Sequence, residues 1–255
     1  MASAREFCRE VGYPVAIIFT YSFDPLFFER IPLADFSIGG SRRILIAADA
    51  IQASEAISNA IGQIAHLGRR YILAETAGAN LFHPKLIARL SDTGGRVWLG
   101  SGNTTSGGWG GNQELATSWS IGPEQQDKGS WLDEILEAVS TLVRSSTFTD
   151  QLGEIRHVIP WLSARPPLIE PPPVLLGMPD KPLAPQLAAR WLNRRFTELK
   201  ICTGSTDESG AFLSWAHRTF GIERATICLS PAFASFRSQE IGKATLGYTN
   251  YRGQS

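Results

Sequence analysis

Short runs of consecutive apolar residues alternate with amphipathic segments along the first half of the chain, and this alternation limits the fold most strongly. The runs lie at residues 15–20, 43–48 and 71–74, and their continuous apolar character is typical of strands that are buried on both faces. Between them, residues 26–36 and 54–67 carry apolar side chains at helical spacing. The pattern predicts an α/β fold in which helices flank a mixed β-sheet.

A proline-rich stretch interrupts the alternation, which then resumes. Residues 160–185 contain nine prolines, which lack the amide N–H that helices and sheets need, so we predict an extended connector there. Beyond it, residues 199–203 and 225–230 read as strands on either side of a helix at residues 209–220. We predict three segments: a first repeat at residues 1–158, a connector at 159–185 and the start of a second repeat at 186–255.

Four polar residues flank a predicted hairpin. His83 and Lys85 lie two positions apart, as do Ser101 and Asn103, so each pair shares one face of an extended segment. Residues 91–95 (Ser-Asp-Thr-Gly-Gly) have the composition of a hairpin turn, which would bring the two pairs side by side. Together the pairs suit a phosphoryl group: the imidazole attacks phosphorus or takes up a proton, and the other groups stabilise the equatorial oxygens.

The wider pattern resembles the signature of the phospholipase D superfamily, which is H-x-K followed by G-S-x-N and a downstream Glu. The resemblance extends over residues 13 to 120. It implies that the histidine attacks phosphorus and forms a phosphohistidine, while the lysine, serine and asparagine bind the phosphate. The glutamate matches the acid that orients the histidine of the opposite half-site. The catalytic residues implied in this way are His83, Lys85, Ser101, Asn103 and Glu114.

One position departs from the family pattern. The fuller signature has an Asp five residues after the lysine, where this chain has Leu90, and the nearby Asp92 reads as a turn residue. Because that Asp is usually a supporting group in the family, its absence weakens the match but does not cancel the predicted chemistry. The predicted residues include no plausible set of metal ligands, so we expect neither a metal nor an organic cofactor.

The family mechanism uses two histidines, one to attack phosphorus and one to protonate the leaving group, but this chain carries a single H-x-K motif. None of His66, His157 and His217 has a lysine two residues later. In the predicted second repeat, which we expect to be truncated, the equivalent motif would fall at about residue 265. We therefore expect either a homodimer or a missing C-terminal half to supply the second motif. A phosphate-binding scaffold with little activity is the alternative.

Charge and composition limit the class of substrate that the chain could bind. The 24 basic residues balance 24 acidic ones, so contact with a polyanion would use local patches such as the arginine pairs at 42–43, 69–70 and 194–195. In the glycine-rich loop that ends at Asn112, Trp109 could stack on a base, and both are candidate substrate-binding residues. These features favour a metal-independent DNA nuclease. A non-catalytic binding scaffold and a phospholipid phosphodiesterase or phosphatidyltransferase are the alternatives.

Several features bear on location and partners. The N-terminus lacks the apolar stretch of a secretory signal, no run approaches the roughly 18 apolar residues of a membrane span, and the three cysteines include no C-x-x-C pair. We therefore expect a cytoplasmic protein without membrane contact or structural zinc. The segment at residues 21–25 and the glycine-rich loop resemble phospholipase D-like proteins linked to bacterial helicases and anti-phage defence, which implies a helicase or ATPase partner.

Overall fold

The predicted alternation forms a six-stranded mixed sheet with helices on both faces. A computed structural model of the chain describes residues 3–76, 82–112, 114–163, 182–203 and 210–229. The chain divides into two compact units, residues 1–179 and 180–255, and the sheet belongs to the first. Its strands are β1 (Val15–Thr20), β2 (Arg43–Asp49), β3 (Ile72–Thr76), β4 (Leu86–Leu90), β5 (Gly95–Gly100) and β6 (Ala116–Ile121).

The order of the strands in the sheet is β3-β2-β1-β4-β5-β6. The first three strands along the chain are parallel to one another. Strand β4 runs antiparallel to β1, β5 runs antiparallel to β4, and β6 runs antiparallel to β5. The turn between β4 and β5 is closed by the amide of Ser91, which donates to the carbonyl of Gly94 at 2.8 Å. The predicted hairpin is therefore observed, and β1 lies at the centre of the sheet.

Both faces of the sheet are buried, which explains the uninterrupted apolar runs. Along β1, Val15, Ile17 and Phe19 enter one core and the intervening Ala16 and Ile18 enter the other. Burial of a Val- or Ile-sized side chain contributes roughly 1.5–3 kcal/mol, so a central strand covered on both faces stabilises the unit strongly. The helices of this unit are α1 (Ala4–Arg9), α2 (Pro25–Arg30), α3 (Pro32–Ile38), α4 (Ala50–Ala60), α5 (Gln126–Leu142) and α6 (Ser146–Val158).

Helices α1 to α4 pack on one face of the sheet, and α5 and α6 on the other. A fully buried arginine, Arg89 in β4, connects the group of helices α1 to α4 to the sheet. Its guanidinium donates to the carbonyl oxygens of Phe7 (2.9 Å), Glu10 (2.5 Å) and Gly39 (3.0 Å). Backbone carbonyls thus satisfy a charge that would otherwise be costly to bury.

Two predicted helices differ from the observed ones at turn-forming residues. The helix predicted over residues 26–36 is split into α2 and α3 at Pro32, because proline disfavours helical geometry at the preceding residue, and Ile31 has φ −124°. The helix predicted over residues 54–67 ends at Ala60, before Gly62 with its φ of +84°. As a result, His66 lies beyond α4 instead of on a helix, and its amide donates to Glu29 at 2.7 Å.

The second unit contains α7 (Leu183–Arg190), β7 (Glu198–Thr203), α8 (Ala211–Phe220) and β8 (Arg224–Leu229). The two strands are parallel, so the strand–helix–strand order predicted from the sequence is observed. Phe220 is buried in the core of this unit and contacts Trp191 and Phe196 edge to face. That this unit begins a second phospholipase D-like repeat stays a prediction.

Most of the predicted proline-rich connector, residues 164–181, lies outside the described residues. Its first residues form a 3₁₀ turn over Pro160–Leu162, in which Trp161 and Leu162 are buried against the sheet. The indole of Trp161 donates to the carbonyl of Ser91 at 3.0 Å, so this turn belongs to the core of the first unit. Within the part of the chain described above, no helix is both long and apolar enough to cross a membrane.

Candidate active site

The topology of the sheet brings the polar residues of the motif to one edge. Because β4 runs antiparallel to β1, with Leu86 opposite Phe19, the segment just before β4 lies beside the segment just after β1. The end of β5 reaches the same place, since the amide of Gly100 donates to the carbonyl of Lys85 at 3.1 Å. The two halves of the motif therefore meet at the carboxyl end of the central strand, where polar residues commonly form sites in α/β folds.

His83 and Lys85 are in direct contact. The ammonium nitrogen of Lys85 lies 2.8 Å from Nδ1 and 3.3 Å from Nε2 of His83, and it donates to the His83 carbonyl at 3.2 Å. Partial burial and the charge of Lys85 lower the pKa of His83. Burial also lowers the pKa of Lys85, against an opposing effect of the charge of Glu114. The pair thus favours a neutral imidazole beside a cation, as a nitrogen nucleophile for phosphate requires.

Ser101 and Glu114 form a second contact at this edge. The Ser101 hydroxyl donates to Oε2 of Glu114 and accepts the amide of Leu115 at 3.0 Å. The side-chain amide of Asn112 reaches the other oxygen of Glu114 at 3.5 Å. Within one chain, Glu114 therefore holds the serine and the asparagine, and its charge acts on Lys85.

Asn103 is held against the end of β1. Its side-chain oxygen accepts the amide of Ser22 at 3.4 Å, and the amide of the next residue, Thr104, donates to the hydroxyl of Thr20 at 2.9 Å. The carbonyl of Thr104 in turn accepts the amide of Asp24 at 3.0 Å. The G-S-G-N loop is thus attached to a segment some 80 residues earlier in the sequence.

Two glycines allow the loops of the site to pack backbone against backbone. A Cβ atom on Gly102 would lie closer than 3.0 Å to the carbonyl oxygen of Gly108, and one on Gly108 would come as close to the backbone of Asn103. Only glycine fits at such a distance, because real Cβ atoms are not found so near a backbone atom. The glycine-rich loop therefore supports the G-S-G-N loop that carries Ser101 and Asn103.

Trp109 and Leu90 lie among apolar neighbours. The ring of Trp109 is half-buried, with ring centroids 6.1 Å from Phe27 and 6.4 Å from Phe36, as expected for a tryptophan packed beneath a glycine-rich turn. Leu90, where the family pattern has an Asp, is fully buried in the core that contains Leu86. Trp109 also lines a small cavity together with Lys85 and Glu114, whereas Leu90 is not among the residues that line it.

Two residues that the sequence analysis left without a role lie at the site. The ring of Tyr21, just after β1, has its centroid 4.5 Å from that of His83 and 5.8 Å from the Lys85 ammonium. Asp49, buried at the end of β2, accepts the amide of Phe82 at 3.2 Å and also caps α4 through the amide of Ile51. Their position directly after buried strands is the signal that could have identified them.

Groups of three or more His, Cys, Asp or Glu side chains that could hold a metal ion do not occur among the described residues. The polar groups that meet at the site are one imidazole, one ammonium, one hydroxyl, two amides and one carboxylate, which accepts hydrogen bonds. This set offers hydrogen bonds and positive charge to an anion such as a phosphate.

The fold is similar to that of a phospholipase D family member, Nuc from Salmonella typhimurium, with a TM-score of 0.41 and 19% identity, covering 54% of this chain and 85% of Nuc. It is also similar to NucT from Helicobacter pylori, with a TM-score of 0.29 and 16% identity, covering 42% and 68% of the two chains. Polyphosphate kinase from Porphyromonas gingivalis matches 96% of this chain with 38% of its own, at a TM-score of 0.45 and 9% identity. No protein-family model and no curated protein matches the sequence. These likenesses concern the fold alone.

Proposed function

We propose that this chain is a metal-independent phosphodiesterase that cleaves nucleic acid, with DNA as its substrate, through a phosphohistidine on His83. The observation that carries the proposal is the contact of 2.8 Å between the Lys85 ammonium and Nδ1 of His83 at the edge where Ser101 and Asn103 also lie. A neutral imidazole is a nucleophile, and the neighbouring cation offsets the charge of the phosphate that it attacks.

The reaction balances in two displacements. An imidazole nitrogen of His83 attacks phosphorus, the bond from phosphorus to the leaving oxygen breaks, and the leaving alkoxide takes a proton. Water then attacks the phosphohistidine and gives a proton back to the group that protonated the leaving oxygen, the P–N bond breaks, and the imidazole is released with a phosphate monoester. Lys85, with donors from Ser101 and Asn103, stabilises the negative charge on the equatorial oxygens in both steps. The acid for the leaving oxygen would be a second histidine, from a second copy or from a C-terminal half.

Incubation with plasmid and single-stranded DNA in excess EDTA tests the proposal. Nicking should persist in EDTA, should fall to background in His83→Ala, and should fall by about 10²–10³-fold in Lys85→Ala, since the charge of the phosphate is then uncompensated. His157→Ala, at an exposed histidine of α6, is the matched control and should cleave like the unmodified chain. Full turnover by His83→Ala would refute the phosphohistidine mechanism.

A non-catalytic phosphate-binding scaffold is the second candidate, and the single H-x-K motif favours it. In that case DNA should bind in EDTA without being nicked, and His83→Ala should weaken binding without changing any product. The phospholipid substrate is tested by the release of headgroup from phosphatidylcholine vesicles under the same conditions. The anti-phage role and the helicase or ATPase partner stay predictions, and phage challenge of cells with and without an intact His83 codon tests the first.

A further inference from the structure

A basic groove lies on the first unit and is built from segments that are far apart in the sequence. Arg42 precedes β2, while Arg69 and Arg70 precede β3, yet all three line one concavity of about 390 Å³ together with Ser37 and Leu33 of α3. One member of the arginine pair at 42–43 and both members of the pair at 69–70 therefore meet at one place, whereas Arg43 forms an ion pair with Glu154. Arginine pairs at the ends of elements are usually scattered over the solvated surface, so their convergence is the feature to explain.

The groove is remote from His83. Because β2 and β3 are parallel, the residues that precede them lie at the same end of the sheet, whereas Asp49 at the other end of β2 holds Phe82 beside the histidine. The seven residues of β2 span about 20 Å at 3.3 Å per residue. The groove is thus separate from the site around His83 and is not an extension of it.

The charge of the groove is uncompensated. No Asp or Glu lines it, and none of its three arginines has a carboxylate within 4.0 Å among the residues that the structure describes. Arg70 is oriented by Ser37, whose hydroxyl accepts a guanidinium N–H at 2.6 Å and donates to the carbonyl of Leu33. In a chain with zero net charge, three exposed arginines without an acid form a local field that attracts anions.

We propose that this groove, lined by Arg42, Arg69 and Arg70, binds the phosphate backbone of a nucleic acid strand. Guanidinium groups match phosphate oxygens with two parallel hydrogen bonds, and a strand carries one phosphate for every 3.4 Å or so of length. The proposal rests on the nucleic-acid substrate proposed above, because it identifies a second contact for the same strand. Such a contact would let a chain without net positive charge retain DNA.

The test measures binding apart from cleavage. All variants carry His83→Ala, and the affinity for a fluorescent single-stranded 30-mer and for its duplex is measured by anisotropy over a series of salt concentrations. In this background Arg42→Gln with Arg69→Gln should weaken binding about tenfold at low salt and reduce the slope of log K against log salt by about 1 to 2, since each phosphate contact contributes 0.7–0.9. Replacement of both arginines by lysine should retain most of the salt slope. A retained slope would show that the glutamine variant binds DNA more weakly because it lacks charge, and not because it is unfolded.

The matched control removes the same charge elsewhere. Arg218→Gln with Arg224→Gln changes two exposed arginines of the second unit and should alter affinity less than twofold. An equal loss in this control, or an unchanged slope in the groove variant, would overturn the proposal, as would weaker binding to anionic lipid vesicles with unchanged binding to DNA. If the chain with an intact His83 does not nick DNA but the groove variant still binds DNA more weakly, the proposed catalysis is wrong and the groove proposal stands. If the chain with an intact His83 nicks DNA but the groove variant binds DNA unchanged, the groove proposal is wrong and the proposed catalysis stands.

Discussion

At the residue scale, the contact between His83 and Lys85 determines how activity should depend on pH. Burial and the Lys85 charge lower the pKa of His83 below its ordinary value near 6.5, and burial lowers that of Lys85 below 10.5. The proposed reaction needs a neutral imidazole and a charged ammonium. The rate should therefore rise with pH through the lowered pKa of His83 and fall at higher pH, first as the second histidine of the proposed reaction loses its proton and then through the lowered pKa of Lys85.

Lys85→Gln tests the cause of the shift directly. Without the ammonium, one of the two influences that lower the pKa of His83 is lost, so that pKa should rise toward 6.5 while the shift due to burial remains. NMR titration of the imidazole Cε1–H resonances measures this change, and the resonance of His157 in α6 serves as the internal control. An unchanged or lower pKa of His83 in the variant would show that the two side chains do not interact in solution.

At the element scale, the site depends on two loops that approach each other closely at glycine. Gly108→Ala should force the glycine-rich loop away from the backbone of Asn103, because the new Cβ would lie closer than 3.0 Å to it. A displacement of about 1 Å in a catalytic loop can cost on the order of 10²-fold in rate, so we expect a loss of kcat/KM of about 10- to 100-fold.

Gly110→Ala is the matched control for this prediction. It adds the same methyl group two residues later in the same loop, where nothing lies within 4 Å of the position of the Cβ. Its nuclease activity should stay within twofold of that of the unmodified chain. Steady-state kinetics on a fluorescent DNA substrate measures both variants, and equal activity in the two would show that the close approach of the loops is not needed for catalysis.

At the scale of the whole molecule, a single motif leaves the proposed reaction without its acid. If two copies combine to form the active species, the specific activity of this chain should rise with its concentration. In the dilute range, the total activity should then be proportional to the square of the protein concentration. If a C-terminal half carries the second motif, only added downstream sequence should raise activity. Nuclease assays over a dilution series, with the mass measured by light scattering, distinguish the two.

Full activity in a demonstrably monomeric chain of 255 residues would contradict both expectations. The acid would then have to come from this chain, and Glu114 is the first residue to change, since its carboxylate already accepts the Ser101 hydroxyl and acts on Lys85. Glu114→Gln keeps the shape of the side chain and removes its ability to carry a proton. A fall in kcat of that variant with unchanged affinity for DNA would identify the Glu114 carboxyl group as the acid.

The sequence by itself determined the strands that lie in continuous apolar runs, the hairpin and the spacing of the motif residues, but it did not indicate β6. A strand buried on both faces needs an unbroken apolar run, as at β1, and a tight hairpin needs turn residues, as at residues 91–95, so both leave a local signal. The spacing within His83–Lys85 and Ser101–Asn103 is also local. Two helix ends were predicted wrongly. The apolar spacing continues past Pro32 and Gly62, but each of these residues interrupts the helical backbone.

Only the tertiary structure decided which distant segments meet. The central place of β1, between β2 and β4, puts Tyr21 and Ser22 beside residues about 60 and 80 positions later, and it puts Asp49 beneath the histidine segment. The same parallel register of β2 and β3 collects Arg42, Arg69 and Arg70 at the opposite end. No local sequence pattern predicts these contacts. The order of the strands depends on how their apolar faces are covered, and not on the identity of the polar residues that this order brings together.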